Sequence, residues 1–313
     1  MEPTQQLDYA AVRAAADRIA DAIRPVAVAP AADGVRYALE YLQHTGSFKA
    51  RGARNFLAAH AAAGTLPAAG VTIASGGNAG LACAWAARAQ GVRATVFLPG
   101  NAPRVKVDRL RGYGADVRLV GDRYAQALAA CEEFAADSGA LSSHAYDHPL
   151  IAAGAGTLLD EIRAAVPGLD TVVVAVGGGG LFAGVATAAR EHGVRVLAAE
   201  PENCRALNAA LEAGRPVDVA VDSVAADSLG ATRVSAAALE AAQGGDVRSV
   251  LVPDTAITAA RRALWEEHRI VVEPGAATAL AALRAEAEPP GKQVAVILCG
   301  ANTDPGDLVS GVS

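Results

Sequence analysis

The chain has 313 residues, 52% of them hydrophobic, with 32 glycines and a formal net charge of −6. That length supplies one large or two moderate domains with an ample core. Acids and bases are interspersed rather than blocked, which excludes nucleic acid or an anionic membrane as the main partner.

The opening Met-Glu-Pro-Thr-Gln-Gln lacks the basic region and apolar run of a signal peptide. Residues 11 to 24 are expected to form an amphipathic helix, with Val12, Ile19 and Ile23 inward and Arg13, Asp17, Arg18 and Asp21 outward. Pro25 and Pro30 end it. A weakly patterned stretch follows and leads to Thr45-Gly46-Ser47-Phe48-Lys49-Ala50-Arg51-Gly52-Ala53, on the first turns of a helix reaching about His60. Phe48 and the small residues leave Lys49 little polar company. Desolvation lowers a lysine's pKa and frees its amine to form a Schiff base with a carbonyl cofactor. Taken alone, such a lysine more often caps a turn or pairs with a carboxylate.

From Val71-Thr72-Ile73-Ala74 onward, apolar runs alternate with alanine-rich helical stretches. The runs are Ala94–Leu98, Val117–Val120, Thr171–Val176, Val194–Ala199, Ser249–Val252 and Val294–Leu298; the helices include Leu81–Gln90, Arg104–Arg111 and Tyr124–Asp137. This pattern implies an α/β fold with a largely parallel sheet. The uncharged run 171–189 has the length of a membrane span. Its four consecutive glycines fit a buried strand, a turn and a helix better, so no membrane is expected.

Ser75-Gly76-Gly77-Asn78-Ala79-Gly80 joins a strand to a helix, where free N–H groups and the helix dipole favour an anion. The plainer alternative is a tight turn capped by Ser75 or Asn78. Gly177-Gly178-Gly179-Gly180-Leu181 allows successive amides to turn inward as a nest for a phosphate. It is neither a dinucleotide fingerprint nor a P-loop. Cys299 follows the last strand, and by itself reads as a packed small hydrophobe. The four cysteines, Cys83, Cys131, Cys204 and Cys299, form no Cys-x-x-Cys pair. A reducing cytoplasm is therefore expected, with no disulfide framework or zinc site. His144 and His148 lack a third metal ligand.

The lysine segment closely resembles the T-G-S-F-K-x-R-G-A signature of serine and threonine dehydratases, fold type II enzymes dependent on pyridoxal phosphate. Glu40-Tyr41-Leu42-Gln43 resembles the E-x-L-Q before it, Ser75–Gly80 the S-x-G-N-x-x-G loop, and Gly177–Gly180 the tetraglycine loop. Cys299-Gly300-Ala301-Asn302 resembles a Ser/Cys-Gly-Gly-Asn segment, with Ala301 departing from the usual glycine. The resemblance spans about residues 40 to 302.

It implies two α/β domains with largely parallel sheets and the cofactor between them: a large domain of residues 1–43 and 149–313, and a small one of 44–148. Lys49 would hold pyridoxal phosphate and move the α-proton, beside Phe48. Gly177, Gly178, Gly179, Gly180 and Leu181 would take the phosphate, Asn78 the 3′ oxygen and Cys299 the pyridine nitrogen. Ser75, Gly76, Asn78 and Ala79 would receive the substrate. Ser143–Pro149, Gly154-Ala155-Gly156-Thr157 and Val272-Glu273-Pro274 are softer matches, and no role follows for Glu273. Glu200-Pro201 occupies the family's cation segment. Relatives with a divalent metal carry an acid six residues on, where this chain has Ala206, so magnesium is disfavoured and a monovalent cation at Glu200 stays open.

The function so implied is β-elimination from L-serine, L-threonine or a related β-hydroxy amino acid, giving a 2-oxo acid and ammonia, in a homodimer without a regulatory domain. Two alternatives stand beside it, an amino-acid racemase on the same scaffold and a non-catalytic phosphate-binding or regulatory protein. Racemases resembling this family place a proton-donating serine immediately before the Gly-Asn, where this chain has Gly76.

Overall fold

Buried apolar strands ending in glycine-rich turns organise the molecule into two sheets, seen in a computed structural model that describes residues 6–287 and 290–309. Of the N-terminal hexapeptide inspected for a leader, only Gln6 lies within them.

Helix α1 (Tyr9–Ile19) is capped by Asp8, whose side chain accepts the Ala11 N–H. It ends before the expected residue 24. A turn closed by the Ile23 N–H on the Ile19 carbonyl follows, and it buries Ile23 with Ile19 and Ala50. The weakly patterned stretch after it is a hairpin of β1 (Val28–Ala32) and β2 (Val35–Ala38). Proline obscured β1 in the sequence, but β1 lies at the sheet edge, where a missing N–H is tolerated.

Next come α2 (Lys49–Ala62), β3 (Val71–Ala74), α3 (Asn78–Ala89), β4 (Ala94–Leu98), α4 (Arg104–Gly112), β5 (Asp116–Leu119), α5 (Tyr124–Ser138) and β6 (Leu141–Ser142). Strands β5-β4-β3-β6 form a four-stranded sheet whose pairs are all parallel. The chain continues through α6 (Pro149–Ala165), β7 (Thr171–Ala175), α7 (Gly180–Glu191), β8 (Arg195–Pro201), α8 (Ala206–Ala213), α9 (Ala226–Leu229) and α10 (Ala236–Gly244). It closes with β9 (Val247–Val252), α11 (Asp254–His268), α12 (Pro274–Ala285), β10 (Val294–Ile297) and α13 (Gly306–Val309). The second sheet has the order β1-β2-β10-β7-β8-β9 and is parallel except at β1.

Each sheet has its own apolar core. Central strand β7 is buried along its whole length, as a parallel strand covered on both faces must be. The helices between the two sheets meet through glycine. A Cβ on Gly52 would sit 2.7 Å from the Ile151 carbonyl oxygen, and one on Gly184 only 2.1 Å from that of Ala152. Gly154-Ala155-Gly156-Thr157 therefore acts in helix packing: Gly154 meets α2, and Gly156 meets Gly184 of α7.

Arg51, fully buried, ties α2 to the rest. Its Nε and Nη2 donate to Glu40 at 2.6 and 3.1 Å, its Nη1 and Nη2 to Glu161 at 2.6 and 2.9 Å, and Nη1 also to Thr157 Oγ1 at 3.1 Å. Gln43 meanwhile exchanges hydrogen bonds with the Arg24 backbone. The Glu40–Gln43 segment is thus the brace of the lysine helix. Among the described residues no helix is long and apolar enough to cross a membrane.

Candidate active site

One strand of the smaller sheet, β3, and two of the larger, β7 and β10, lead at their carboxyl ends into one cleft, the usual location for a ligand in an open α/β sheet. β3 delivers Ser75–Ala79, β7 delivers Gly177–Gly180, and β10 delivers Cys299. With Phe48, Lys49 and Leu181 they line a cleft of about 730 Å³.

Lys49, the first residue of α2, is half-buried in the cleft wall. Its Nζ donates to the Ala145 carbonyl at 2.7 Å and sits 4.7 Å from the centre of the Phe48 ring. Burial pulls its pKa down to about 8, with Cys299 and Glu273 acting weakly the other way. The desolvation inferred from the small neighbours is present, and the amine is accessible as a nucleophile near neutral pH.

The tetraglycine turn has no room for side chains. A Cβ on Gly178 would lie 2.3 Å from the Tyr146 ring, one on Gly180 2.9 Å from the Tyr146 carbonyl oxygen, and one on Gly177 2.9 Å from the Leu229 Cα. Gly179 has φ +96° and caps α7, so the first N–H groups of that helix open toward the cleft. At β3, the short connection into α3 leaves Ser75, Gly76, Asn78 and Ala79 along the opposite wall. A Cβ on Gly76 would stand 2.1 Å from Leu98 Cδ2, so Leu98 occupies the space a side chain would need there.

Cys299 is buried, and burial pushes its thiol well above the ordinary range, so it remains neutral. All four cysteines are free and buried.

Glu200 does not line the cleft. Fully buried, it accepts the backbone N–H groups of Leu207 and Asn208 at 2.7 and 2.8 Å, capping the start of α8, and burial pushes its pKa up to about 7. Among the described residues no three or more His, Cys, Asp or Glu gather as a metal site. The Nδ1 of His144 accepts the N–H groups of Tyr146 and Asp147, and that of His148 the N–H of Leu150.

Sequence reasoning missed two contributors. Tyr146, whose ring covers Gly178, and Ala145, whose carbonyl holds Lys49, belong to Ser143–Pro149, which the sequence offered only as a softer match with no role attached. Glu273 was left without a role; it is a buried acid in the cleft wall bonded to Asn78. Its place before Pro274, the first residue of α12, was the only local signal for it.

Residues 25–300 match the family described as pyridoxal-phosphate dependent enzyme. A human protein named serine dehydratase-like is 39% identical over 279 residues, covering 84% of this chain and 83% of its own length. A serine racemase from Dictyostelium discoideum superposes with TM-score 0.88 at 28% identity, covering 95% of this chain and 99% of that one. A threonine deaminase from T.th. superposes with TM-score 0.86 at 31% identity, covering 95% and 99%.

Proposed function

The chain belongs to the pyridoxal-phosphate dependent enzymes, and from that premise we propose that it removes the β-hydroxyl of L-serine, L-threonine or a related β-hydroxy amino acid as water, after which hydrolysis takes a water back and releases a 2-oxo acid and ammonia. The residues present fit the cofactor. A desolvated lysine amine faces a glycine turn that a Cβ would fill, and a neutral thiol lies in the same wall. When bound, the cofactor supplies an electron sink for charge released at the substrate α-carbon.

The protein's own part follows from the site. The Gly177–Gly180 turn and the start of α7 offer N–H groups to a phosphate. The Ser75–Ala79 turn offers the start of α3 to a substrate carboxylate. Lys49, its pKa lowered to about 8, is the base that takes the α-proton once its amine is free. Cys299, a neutral thiol in the cleft wall, would meet the cofactor's pyridine nitrogen without keeping it protonated, which would temper the sink and suit departure of the β-hydroxyl over transamination. The two structural neighbours pull in different directions, one being a racemase and one a deaminase. Gly76 favours elimination, because it offers no second proton donor and Leu98 fills the space beside it.

The observation that carries this reading is the convergence of Lys49, the tetraglycine turn and Cys299 in one cleft. Borohydride reduction, digestion and mass spectrometry should place the pyridoxyl group on Lys49, and Lys49→Ala should abolish both adduct and activity. A label on Lys106 or Lys292 would refute it.

The remaining features of the proposal rest on the resemblance. They are the division at residues 44 and 148, a homodimer, a cytoplasmic location and a monovalent cation near Glu200. Light scattering tests the dimer, and activity in potassium against tetramethylammonium salts tests the cation.

A further inference from the structure

The orientation of the Asn78 amide is dictated by a relay of groups that can each play only one part. The Thr45 carbonyl can only accept a hydrogen bond, and the Arg109 guanidinium can only donate. Asn302 lies between them. Its Nδ2 donates to the Thr45 oxygen at 2.7 Å, and its Oδ1 accepts from Arg109 Nη2. The second Nδ2 hydrogen of Asn302 goes to Asn78 Oδ1 at 2.6 Å. Asn78 must therefore turn its own Nδ2 the other way, where the Glu273 carboxylate receives it at 3.0 and 3.1 Å.

The relay is firmly mounted. The Glu273 N–H donates to the Gly300 carbonyl at 3.0 Å, and the Ala301 N–H to that of Gly46, also at 3.0 Å. A Cβ on Gly300 would fall 2.4 Å from Glu273 Oε1, so glycine is required for the carboxylate to lie where it does. Glu273 is buried and lines the same cleft as Lys49 and Asn78. Asn78 itself lines that cleft, its Nδ2 held by the Glu273 carboxylate on one side and its Oδ1 by Asn302 on the other.

We propose that Glu273 and Asn302 are positioning residues that hold the Asn78 amide with an N–H group turned toward the cofactor's phenolic oxygen. This rests on the reading above that Asn78 meets that oxygen. An N–H donated there favours the ionised phenolic form, which gives the bound cofactor its long-wavelength visible band.

The test exploits an order of severity that packing alone would reverse. Asn302→Asp keeps the shape but cannot donate, so it draws the Asn78 amide round and presents an oxygen to the cofactor. Asn302→Ala only removes the lock on one side. Full-length holoenzymes are dialysed against graded pyridoxal phosphate, and absorbance reads both cofactor affinity and the visible band. Asn302→Asp should weaken affinity on the order of tenfold, about 1.4 kcal/mol, and lose most of the long-wavelength band, while Asn302→Ala stays within a few-fold of wild type. Glu273→Gln, which retains an acceptor oxygen, should keep the band, and Glu273→Ala combined with Asn302→Ala, which removes both locks, should lose it. The second pair decides the matter if Asn302→Asp does not fold. Equal behaviour within both pairs, or Asp milder than Ala, overturns the proposal. A wild-type protein with no cofactor band overturns instead the cofactor reading on which it rests.

Discussion

In the proposed reaction the chemistry begins with the free amine of Lys49, whose pKa of about 8 makes a pH prediction with a definite sign. Lowering the pKa of a base increases its neutral fraction at a given pH. At pH 7 that fraction is about one in ten, against about one in three thousand for an ordinary lysine. Cofactor capture by the apoprotein should therefore quicken as pH rises, with a midpoint near 8, and flatten above it. Stopped-flow absorbance reads this directly. A rate still climbing in proportion to hydroxide at pH 10 would mean that the amine is not desolvated. A second residue-scale prediction concerns Gly76. Serine there would set its Cβ 2.1 Å from Leu98 Cδ2, so Gly76→Ser alone should lower elimination and add little racemisation. Gly76→Ser with Leu98→Ala should recover elimination and raise D-amino acid formation measurably by chiral chromatography. Unchanged racemisation in the double variant would show that a hydroxyl at this position is not what limits it.

Among the elements, the helices between the two sheets carry Lys49 and the tetraglycine turn, and their spacing depends on missing side chains. Gly184→Ala places a methyl 2.1 Å from the Ala152 carbonyl oxygen and 2.6 Å from the Gly156 nitrogen. Backbone cannot move aside as a flexible side chain can, so α6 and α7 must separate, at about 1–3 kcal/mol. Urea denaturation should show that loss, with the visible spectrum of the holoenzyme also altered because α7 begins at the tetraglycine turn, the proposed phosphate seat. A stability change below about 0.5 kcal/mol would mean that the helices are less tightly apposed. The strand and helix alternation was legible because β3, β4, β7 and β10 are short apolar runs between glycine turns. The β1–β2 hairpin was not, since Pro30 and Gly34 disguise a strand whose pairing comes from the sheet edge. The end of α1 was missed for a related reason: Ile23 keeps the helical period but is buried through a turn.

At the scale of the whole molecule, groups contiguous in the chain could be read and groups assembled by folding could not. Lys49 with its small neighbours and the run Gly177–Gly180 each announce their chemistry within a few residues. The relay that fixes Asn78 joins partners between 193 and 257 residues apart, through Glu273, Arg109, Thr45 and Asn302. Each of these types is common on protein surfaces, so nothing local marks it. The same holds for Leu98, whose importance arises only because Gly76 lies beside it.

The fold is shared by racemases and deaminases, so superposition alone leaves the reaction to be measured. The most direct measurement follows purified holoenzyme with L-serine and with L-threonine, quantifying 2-oxo acid, ammonia and D-amino acid in the same reaction. The account predicts 2-oxo acid and ammonia in equal amounts, with negligible D-amino acid. D-amino acid formed at a rate comparable to the 2-oxo acid, or no 2-oxo acid from either substrate or a related β-hydroxy amino acid, would contradict it.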